Sequence, residues 1–350
     1  MAPCDVRQPQ VARLTVGGTP SGKEPAGWQV LSAFLLALLL VAPVLRAAWN
    51  GAVSAAFLVE FLTHAPLLTA MTLTPVRGPL GAPGVAADLY IHTGWTGGAR
   101  LVLVHGFAPQ GKDESRVRDA AALLARAGFD VAVPTIAGLT RGRLGLDDVE
   151  TVVAALAGHA APTVVIGVSV GAGPALLAAA DPRVRDRVSA VLSLGGYASG
   201  LEVVRFWLTG TYEFGGVRGR VSHDPELVRM FMRANADVLD PPSRALLESG
   251  EPEKAARFLT ALPQELQRHL DALSPLRVAR DIPARLVLVH GYQDRAVPYT
   301  ESLRLAAARP DRTALVLVGI VEHVEGGGRG GWREAGDLLA LWRVMYGLLT

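Results

Sequence analysis

The chain is poor in the residues on which several classes of protein depend. It has one cysteine, Cys4, so an intramolecular disulfide and a cysteine-rich zinc module are excluded, and it has no HExxH motif. Only three of its 34 basic residues are lysines, no long basic run occurs, and the formal net charge is +2. The electrostatic footprint of a nucleic-acid-binding protein is therefore missing. We expect no nucleic-acid partner, no metal and no cofactor.

Charged residues are also scarce, at 19%, and aromatic residues make up only 6% of the 350 residues, whereas half of the chain is apolar. This balance excludes a disordered chain and predicts a large core, with some residues in contact with lipid. The lipid-facing part is predicted at residues 25–45, a run of 21 residues without a charge that is long enough to span a bilayer.

Two other interpretations of this run are a cleaved signal peptide and a buried core helix. Signal peptides begin closer to the N-terminus and end in a small-x-small site, whereas 24 residues precede this run and Arg46 follows it. We therefore predict an N-terminal tail at 1–24 and a single uncleaved transmembrane anchor at 25–49. Arg13 and Lys23 before the span, against Arg46 after it, favour an inside N-terminus and a domain on the outer, periplasmic or extracellular, side.

Residues 50–84 are predicted to be a connector between the anchor and the following domain. The apolar run 57–62 can lie on the membrane surface or pack on that domain, and Glu60 and His64 argue against a second span. Of these alternatives, an interfacial connector is favoured.

From Val85 onward, short β-branched runs alternate with helical stretches. This pattern is typical of βαβ units around a mostly parallel sheet. The predicted strands are 87–92, 101–104, 129–133, 163–168, 191–194, 286–289 and 315–318. The predicted helices are 114–127, 147–157, 172–180 and 332–349. We therefore predict an α/β fold with a doubly wound, mostly parallel sheet over 85–349, in addition to the N-terminal transmembrane helix.

One interval interrupts this alternation. Between Gly195 and Pro283 no strand pattern occurs, and the helical patterns 225–236 and 263–272 predict an inserted helical cap at about 197–283.

The strongest motif is the pentapeptide Gly167-Val168-Ser169-Val170-Gly171, a G-x-S-x-G sequence between a predicted strand and a predicted helix. A serine hydroxyl is a weak nucleophile and must be lifted out of the sheet on a tight turn with small neighbours. Glycines at 167 and 171 fit this need. The context predicts a nucleophile elbow at Ser169; the alternative is a plain glycine-rich turn.

A serine nucleophile needs a base and an acid that orients it. After the strand 286–289, Asp294 lies in a loop at a carboxyl end, and after the strand 315–318, His323 follows at the next one. The alternative interpretation of Asp294 is a solvated acidic residue in a turn, and that of His323 is a histidine on a surface loop. Seven other histidines precede the core, lie at its amino edge, belong to the cap or close a strand: His64, His92, His159, His223, His269, His105 and His290. Backbone N–H groups of Phe107 and Val170 are candidate donors for a developing oxyanion.

As a set, these motifs resemble the α/β-hydrolase family, in particular its dienelactone-hydrolase-like and esterase-like branches. The resemblance covers roughly residues 85–349 and rests on His105-Gly106-Phe107, the pentapeptide around Ser169, the run from His290 to Pro298, and His323. It implies a nucleophile at Ser169, an acid at Asp294, a base at His323 and oxyanion amides at Phe107 and Val170. Dienelactone hydrolases usually use cysteine, so their substrate does not carry over.

The function expected from these residues is the cleavage of a carboxylic ester by a membrane-anchored serine hydrolase acting on a small acyl substrate, with thioester cleavage, amide cleavage and acyl transfer left open. Apolar cap residues either line an acyl pocket or form the core of the cap: Phe206, Trp207, Phe214, Met230, Phe231, Met232 and Phe258.

Two other functions remain open. One is a catalytically inactive binding module with the same fold. The other is a nucleotide-binding loop, because residues 106–112 fit the first seven positions of a phosphate-binding loop. Asp113 stands where Ser or Thr would hold magnesium, and Pro109 removes one amide from the cradle.

Overall fold

The computed structural model describes residues 27–93, 98–159, 161–223, 233–235, 239–248, 251–322, 325–326 and 332–350. The chain divides into two compact units, Met1–Ala48 and Trp49–Thr350. Within the first unit, the described residues belong to helix α1, Gly27–Thr63, whose later part lies in the second unit. The apolar side chains of this first part are largely exposed, including those of Trp28, Leu36 and Leu39.

Within the described ranges, one helix is long and apolar enough to cross a membrane. Its stretch Phe34–Thr63 has a mean hydropathy of 1.7. A signal sequence near the N-terminus also meets this criterion of length and composition, so the criterion identifies an apolar N-terminal helix without distinguishing a membrane anchor from a signal sequence.

The second unit begins earlier than the expected boundary at residue 85. The part of α1 that follows Trp49 buries Val53 and Ala56 in the core, and Asn50 donates a hydrogen bond to the carbonyl of Leu349 at 3.2 Å. The short helix α2, Leu67–Met71, and strand β1, Val76–Pro79, follow. Residues expected to form an interfacial connector therefore include part of the domain core, because their apolar side chains pack beneath the sheet.

The central sheet has eight strands in the order β1-β2-β4-β3-β5-β6-β9-β10. Their bounds are β2 Ala87–Ile91, β3 Ala99–Val104, β4 Phe129–Pro134, β5 Thr163–Val168, β6 Val188–Leu194, β9 Arg285–Gly291 and β10 Thr313–Val318. Every neighbouring pair from β4 to β10 is parallel, whereas β2 pairs antiparallel with both of its neighbours, β1 and β4. The predicted mostly parallel sheet is confirmed.

Both faces of the sheet are covered by helices, as the apolar character of its strands requires. Along β3, Val102 and Val104 face one core, and Leu101 and Leu103 face the other. The first core is covered by α5, Asp147–Gly158, and α6, Ala172–Ala180. The second is covered by α3, Ser115–Arg126, α12, Trp332–Leu349, and the later part of α1. A further short helix, α4, spans Ala137–Thr140.

The cap interval contains helices and one hairpin that the sequence analysis did not predict. Its helices are α7 Gly200–Thr209, α8 Pro241–Glu248, α9 Pro252–Thr260 and α10 Gln264–Ala272. The hairpin pairs β7, Thr211–Phe214, with β8, Val217–Arg220, through Gly215 and Gly216, whose φ angles are 59° and 81°. Two successive positive φ values are the turn geometry that glycine favours. Most of the predicted helix at 225–236 lies outside the described residues.

A buried carboxylate attaches the cap to the core. Glu301, on helix α11 (Thr300–Ala308), accepts hydrogen bonds from the backbone N–H groups of Ala198, at 3.0 Å, and Ser199, at 2.8 Å. Arg304 donates to the same carboxylate at 3.0 Å and to the carbonyl of Glu213 in the hairpin at 2.5 Å. Burial raises the pKa of Glu301, although these hydrogen bonds and Arg304 favour its charged form.

We expect Glu301→Ala to lower the free energy of unfolding by about 1–3 kcal/mol, because two backbone amides lose their acceptor and Arg304 loses one of its partners. Urea unfolding measures this change. The matched control is Glu150→Ala, which removes an exposed carboxylate paired with Arg183 at 2.8 Å and should change the unfolding midpoint little. Equal effects of the two substitutions would show that Glu301 does not hold the cap.

Candidate active site

Ser169 lies on a sharp turn at the carboxyl end of β5. The strand ends at Val168, helix α6 begins at Ala172, and Ser169 between them has a φ of +53°. A residue with a side chain rarely adopts this left-handed conformation, and such strain is concentrated at functional sites. The serine side chain is therefore held at the top of the sheet, where the residue as a whole is 9% exposed.

Glycines allow the backbone around Ser169 to pack closely. A Cβ on Gly171 would overlap the carbonyl oxygen of His105, and a Cβ on Gly167 would lie 2.5 Å from Cα of Ala172. At Gly106 an added Cβ would lie 3.1 Å from Cβ of Ser169 and 3.6 Å from its Oγ. The loop after β3 is thus in direct contact with the turn that carries the serine.

His105 fixes this loop through both of its ring nitrogens. The backbone N–H of Ile136 donates to Nε2 at 3.0 Å, and Nδ1–H donates to the carbonyl of Gly106 at 2.7 Å. Because Nε2 accepts a hydrogen bond, the ring is neutral in this arrangement, and burial, which lowers the pKa of His105, favours the same form. The next residue, Phe107, is 40% exposed, whereas Val170 beside the serine is buried. The two residues expected to supply oxyanion amides therefore lie on adjoining segments.

Asp294 lies in the loop that follows β9, at the same edge of the sheet. Its Oδ1 atom accepts hydrogen bonds from the backbone N–H groups of Ala296, at 2.8 Å, and Val297, at 2.9 Å. The residue is 5% exposed. The loop therefore fixes one oxygen of the carboxylate by closing around it.

His290 is a residue whose part in this loop the sequence analysis did not find. It is fully buried; its Nε2–H donates to the carbonyl of Val297 at 2.9 Å, and Nε2 is 3.5 Å from Oδ2 of Asp294. Ser302 shares a hydrogen bond of 2.7 Å with Nδ1. The imidazole thus supports the loop that carries the candidate acid Asp294, called here the acid loop. The sequence offered one signal: the hexapeptide 286–291 repeats the hexapeptide 101–106, where His105 does the same for the other loop.

The candidate base, His323, lies outside the described residues. Around it, the backbone of β11, Val321–Glu322, pairs antiparallel with β12, Glu325–Gly326. The end of β10 is joined to the acid loop, because the backbone N–H of Tyr292 donates to the carbonyl of Val318 at 2.9 Å.

The phosphate-loop alternative places Lys112 beside a bound phosphate. In the structure its ammonium nitrogen lies 2.9 Å from Oδ2 of Asp113 and 3.3 Å from Oδ2 of Asp88. The positive charge of Lys112, which a phosphate would require, is therefore already paired with two carboxylates. Within the described ranges, no cluster of three or more His, Cys, Asp or Glu side chains is arranged to hold a metal ion.

The aromatic residues of the cap divide between its core and the site. Phe206 is fully buried and packs its ring 4.6 Å from that of His223. Phe214 lies beneath the guanidinium of Arg304. Trp207, by contrast, is only partly buried, and its ring lies 6.2 Å from that of Phe107. Met230, Phe231 and Met232 lie outside the described residues.

We expect Gly171→Ala to lower the free energy of unfolding by about 1–3 kcal/mol, because its Cβ must displace the backbone of the loop after β3. Thermal unfolding of the full chain in detergent checks this. Gly78→Ala is the matched control, since a Cβ there meets nothing within 4 Å. A neutral effect at position 171 would contradict the close approach of the two segments.

Comparison with known proteins agrees with this architecture. The structure is similar to a puromycin-hydrolyzing peptidase of Mycobacterium tuberculosis, with a TM-score of 0.50 and 22% identity over 79% of this chain and 40% of the other. It is equally similar to an acylaminoacyl peptidase of Pyrococcus horikoshii, with a TM-score of 0.50 and 15% identity over 80% of this chain and 41% of the other.

This chain thus corresponds to about two fifths of each of those longer proteins, and at these identities the likeness concerns the fold. No match was found among curated proteins. A model of the alpha/beta hydrolase family matches residues 101–333. The chain belongs to the alpha/beta hydrolase family.

Proposed function

We propose that this protein is a serine hydrolase that cleaves a carboxylic ester or thioester through an acyl-enzyme at Ser169. Asp294 is the proposed acid, His323 the proposed base, and the N–H groups of Phe107 and Val170 the proposed oxyanion donors. The observation that carries the proposal is the turn at Ser169, whose φ of +53° between β5 and α6 is the geometry of a nucleophile elbow.

The histidines near this edge support His323 as the base. His105 and His290 each have both ring nitrogens in hydrogen bonds, so neither has a free nitrogen to receive the proton of Ser169. His159 precedes β5 at the opposite edge, where its Nε2 bonds to the carbonyl of Asp130 at 3.2 Å. His323 follows β10 in the chain, and β10 is the neighbour of β9, the strand that precedes the loop with Asp294.

In the proposed mechanism, the base takes the proton of Ser169 while Oγ attacks the carbonyl carbon of the substrate. The negative charge that develops on the carbonyl oxygen is stabilised by the two backbone amides. The base then gives its proton to the leaving alcohol or thiol, and an acyl-enzyme remains. Water, deprotonated by the same base, then attacks the acyl carbon; the bond to Oγ of Ser169 breaks, Oγ takes the proton from the base, and the carboxylic acid product is released. Asp294 stabilises the imidazolium in both steps.

We expect Ser169→Ala to lower kcat/KM for ester hydrolysis by more than about 1000-fold, because the acyl-enzyme cannot form. The wild-type protein should react with a fluorophosphonate probe, and the variant should not. Ser189→Ala, at an exposed serine of β6, is the control. Asp294→Asn should keep the labelling site but lower kcat by at least about 100-fold.

The labelling experiment separates the proposal from its alternatives. A folded wild-type protein that neither reacts with the probe nor hydrolyses esters would be an inactive binding module. Undiminished turnover by Ser169→Ala would remove the serine from the mechanism, and undiminished turnover by Asp294→Asn would assign the acid to another carboxylate.

We further propose that the apolar part of α1 anchors the hydrolase in a membrane as a single span, with the domain on the outer side. The support is the length and hydropathy of this helix and the two basic residues, Arg13 and Lys23, that precede it.

The single cysteine permits a direct test of this topology. In intact bacterial cells that express the chain, Cys4 should be labelled by a membrane-impermeant maleimide only after lysis, because it precedes the span. In a Cys4→Ser background, Asp186→Cys on the domain should be labelled without lysis, since the Asp186 side chain is 84% exposed. The opposite pattern would invert the orientation, and a mature chain that lacks Cys4 would identify a cleaved signal.

A further inference from the structure

A cap side chain, Trp207, contacts both of the loops that the proposed mechanism uses. Its indole Nε1–H donates to the carbonyl oxygen of Ala296 in the acid loop at 2.6 Å. Its ring centroid lies 6.2 Å from that of Phe107 in the loop after β3, with an angle of 43° between the planes. Helix α7 is therefore joined to the surroundings of Asp294 and of Ser169 through one residue.

The bond to Ala296 acts on the Asp294 carboxylate through a single peptide group. The carbonyl of Ala296 and the N–H of Val297 belong to the same peptide, and that N–H donates to Oδ1 of Asp294 at 2.9 Å. A peptide that accepts a hydrogen bond at its oxygen is polarised and donates more strongly at its nitrogen. The indole therefore fixes the plane of this peptide and strengthens its bond to the carboxylate.

The ring of Trp207 also shapes the side of the site where Phe107 lies. Gly106, the residue before Phe107, is in contact with Ser169, and the Phe107 side chain is 40% exposed. The two rings form an aromatic wall next to a proposed oxyanion amide. An acyl group whose carbonyl oxygen meets that amide has this wall beside it, so the size of the wall sets the room for the chain.

The cap that carries Trp207 is held firmly enough for this role. Glu301 binds the backbone of Ala198 and Ser199 at the start of α7. On the other side, the rings of Tyr212 and Tyr299 lie 6.1 Å apart and those of Tyr299 and Tyr292 lie 5.4 Å apart, which connects the hairpin to the acid loop. Trp207 thus extends from a fixed helix.

We propose that Trp207 is a positioning residue for Asp294 and, with Phe107, determines the length of acyl chain that the site accepts. This inference rests on the proposed function and goes beyond it, because it assigns control of both the acid and the specificity to one residue of the cap.

The test compares variants of the full chain in detergent, with p-nitrophenyl esters from acetate to dodecanoate as probes. Trp207→Phe keeps a ring but loses the indole N–H; we expect kcat to fall roughly 5- to 10-fold, which is the usual size of one hydrogen bond. The acid limb of the kcat/KM pH profile should move to lower pH, because a less well held Asp294 stabilises the imidazolium less. Chain-length preference should stay unchanged.

Two further variants test the wall. Trp207→Ala should raise the ratio of kcat/KM for dodecanoate to that for butyrate by about 10-fold or more, because it removes a full aromatic side chain. Phe107→Leu should move the same ratio and leave the pH profile unchanged, since it keeps the backbone amide and the indole bond. The matched control is Trp342→Phe, which removes an indole hydrogen bond of 2.9 Å to the carbonyl of Gly51. Both residues are distant in sequence from the two loops, so this variant should change neither the chain-length ratio nor the pH profile.

The outcomes are distinguishable. If Trp207→Phe behaves like Trp342→Phe in kcat and in pH profile, the positioning role is wrong. If Trp207→Ala and Phe107→Leu keep the wild-type ratio, the wall is wrong. Either result leaves the serine hydrolase standing, because Ser169→Ala is measured in the same panel. A wild-type chain that hydrolyses none of the esters removes the proposed function and this inference together.

Discussion

The close contact between two loop backbones is the constraint on which the candidate site depends. The loop after β3 and the turn after β5 meet so tightly that Gly106 and Gly171 leave no room for larger residues without displacement. Parallel strands that are direct neighbours bring their carboxyl ends to the same edge, and the sheet order makes β3 and β5 such neighbours. Ser169, the loop that carries Phe107 and the first turn of α6 are therefore packed directly against one another.

The loop that carries Asp294 is also fixed by close contacts with its own backbone, here made by a buried side chain. A buried imidazole at the end of each strand, His105 after β3 and His290 on β9, bonds to a carbonyl of the loop that follows it. In this way a strand that is apolar on both faces ends in a polar residue that organises the next turn. Loops at this edge are therefore held by hydrogen bonds between buried side chains and the backbone.

Much of the sheet could be predicted from the sequence, because continuous apolar runs such as 163–168 and 286–289 identify buried parallel strands. The turn that carries Ser169 could be predicted equally well, since its glycines and its position between a strand and a helix are local features. The role of His290 could not be predicted, because it depends on how the chain from Asp294 to Val297 curls back over the ring. The hairpin at 211–220 was missed because its strands mix polar, charged and aromatic residues and are held by distant partners such as Arg304.

The beginning of the domain was also set by contacts that no local pattern reveals. Residues after Trp49 continue the same apolar helix, yet Val53, Ala56 and Leu58 belong to the core beneath the sheet. A protease that removes the exposed first part of α1 and leaves the core intact would therefore have to cut before Trp49. The released enzyme would keep the rest of α1 as a permanent part of its interior, and cleavage only a few turns later would open the core to water.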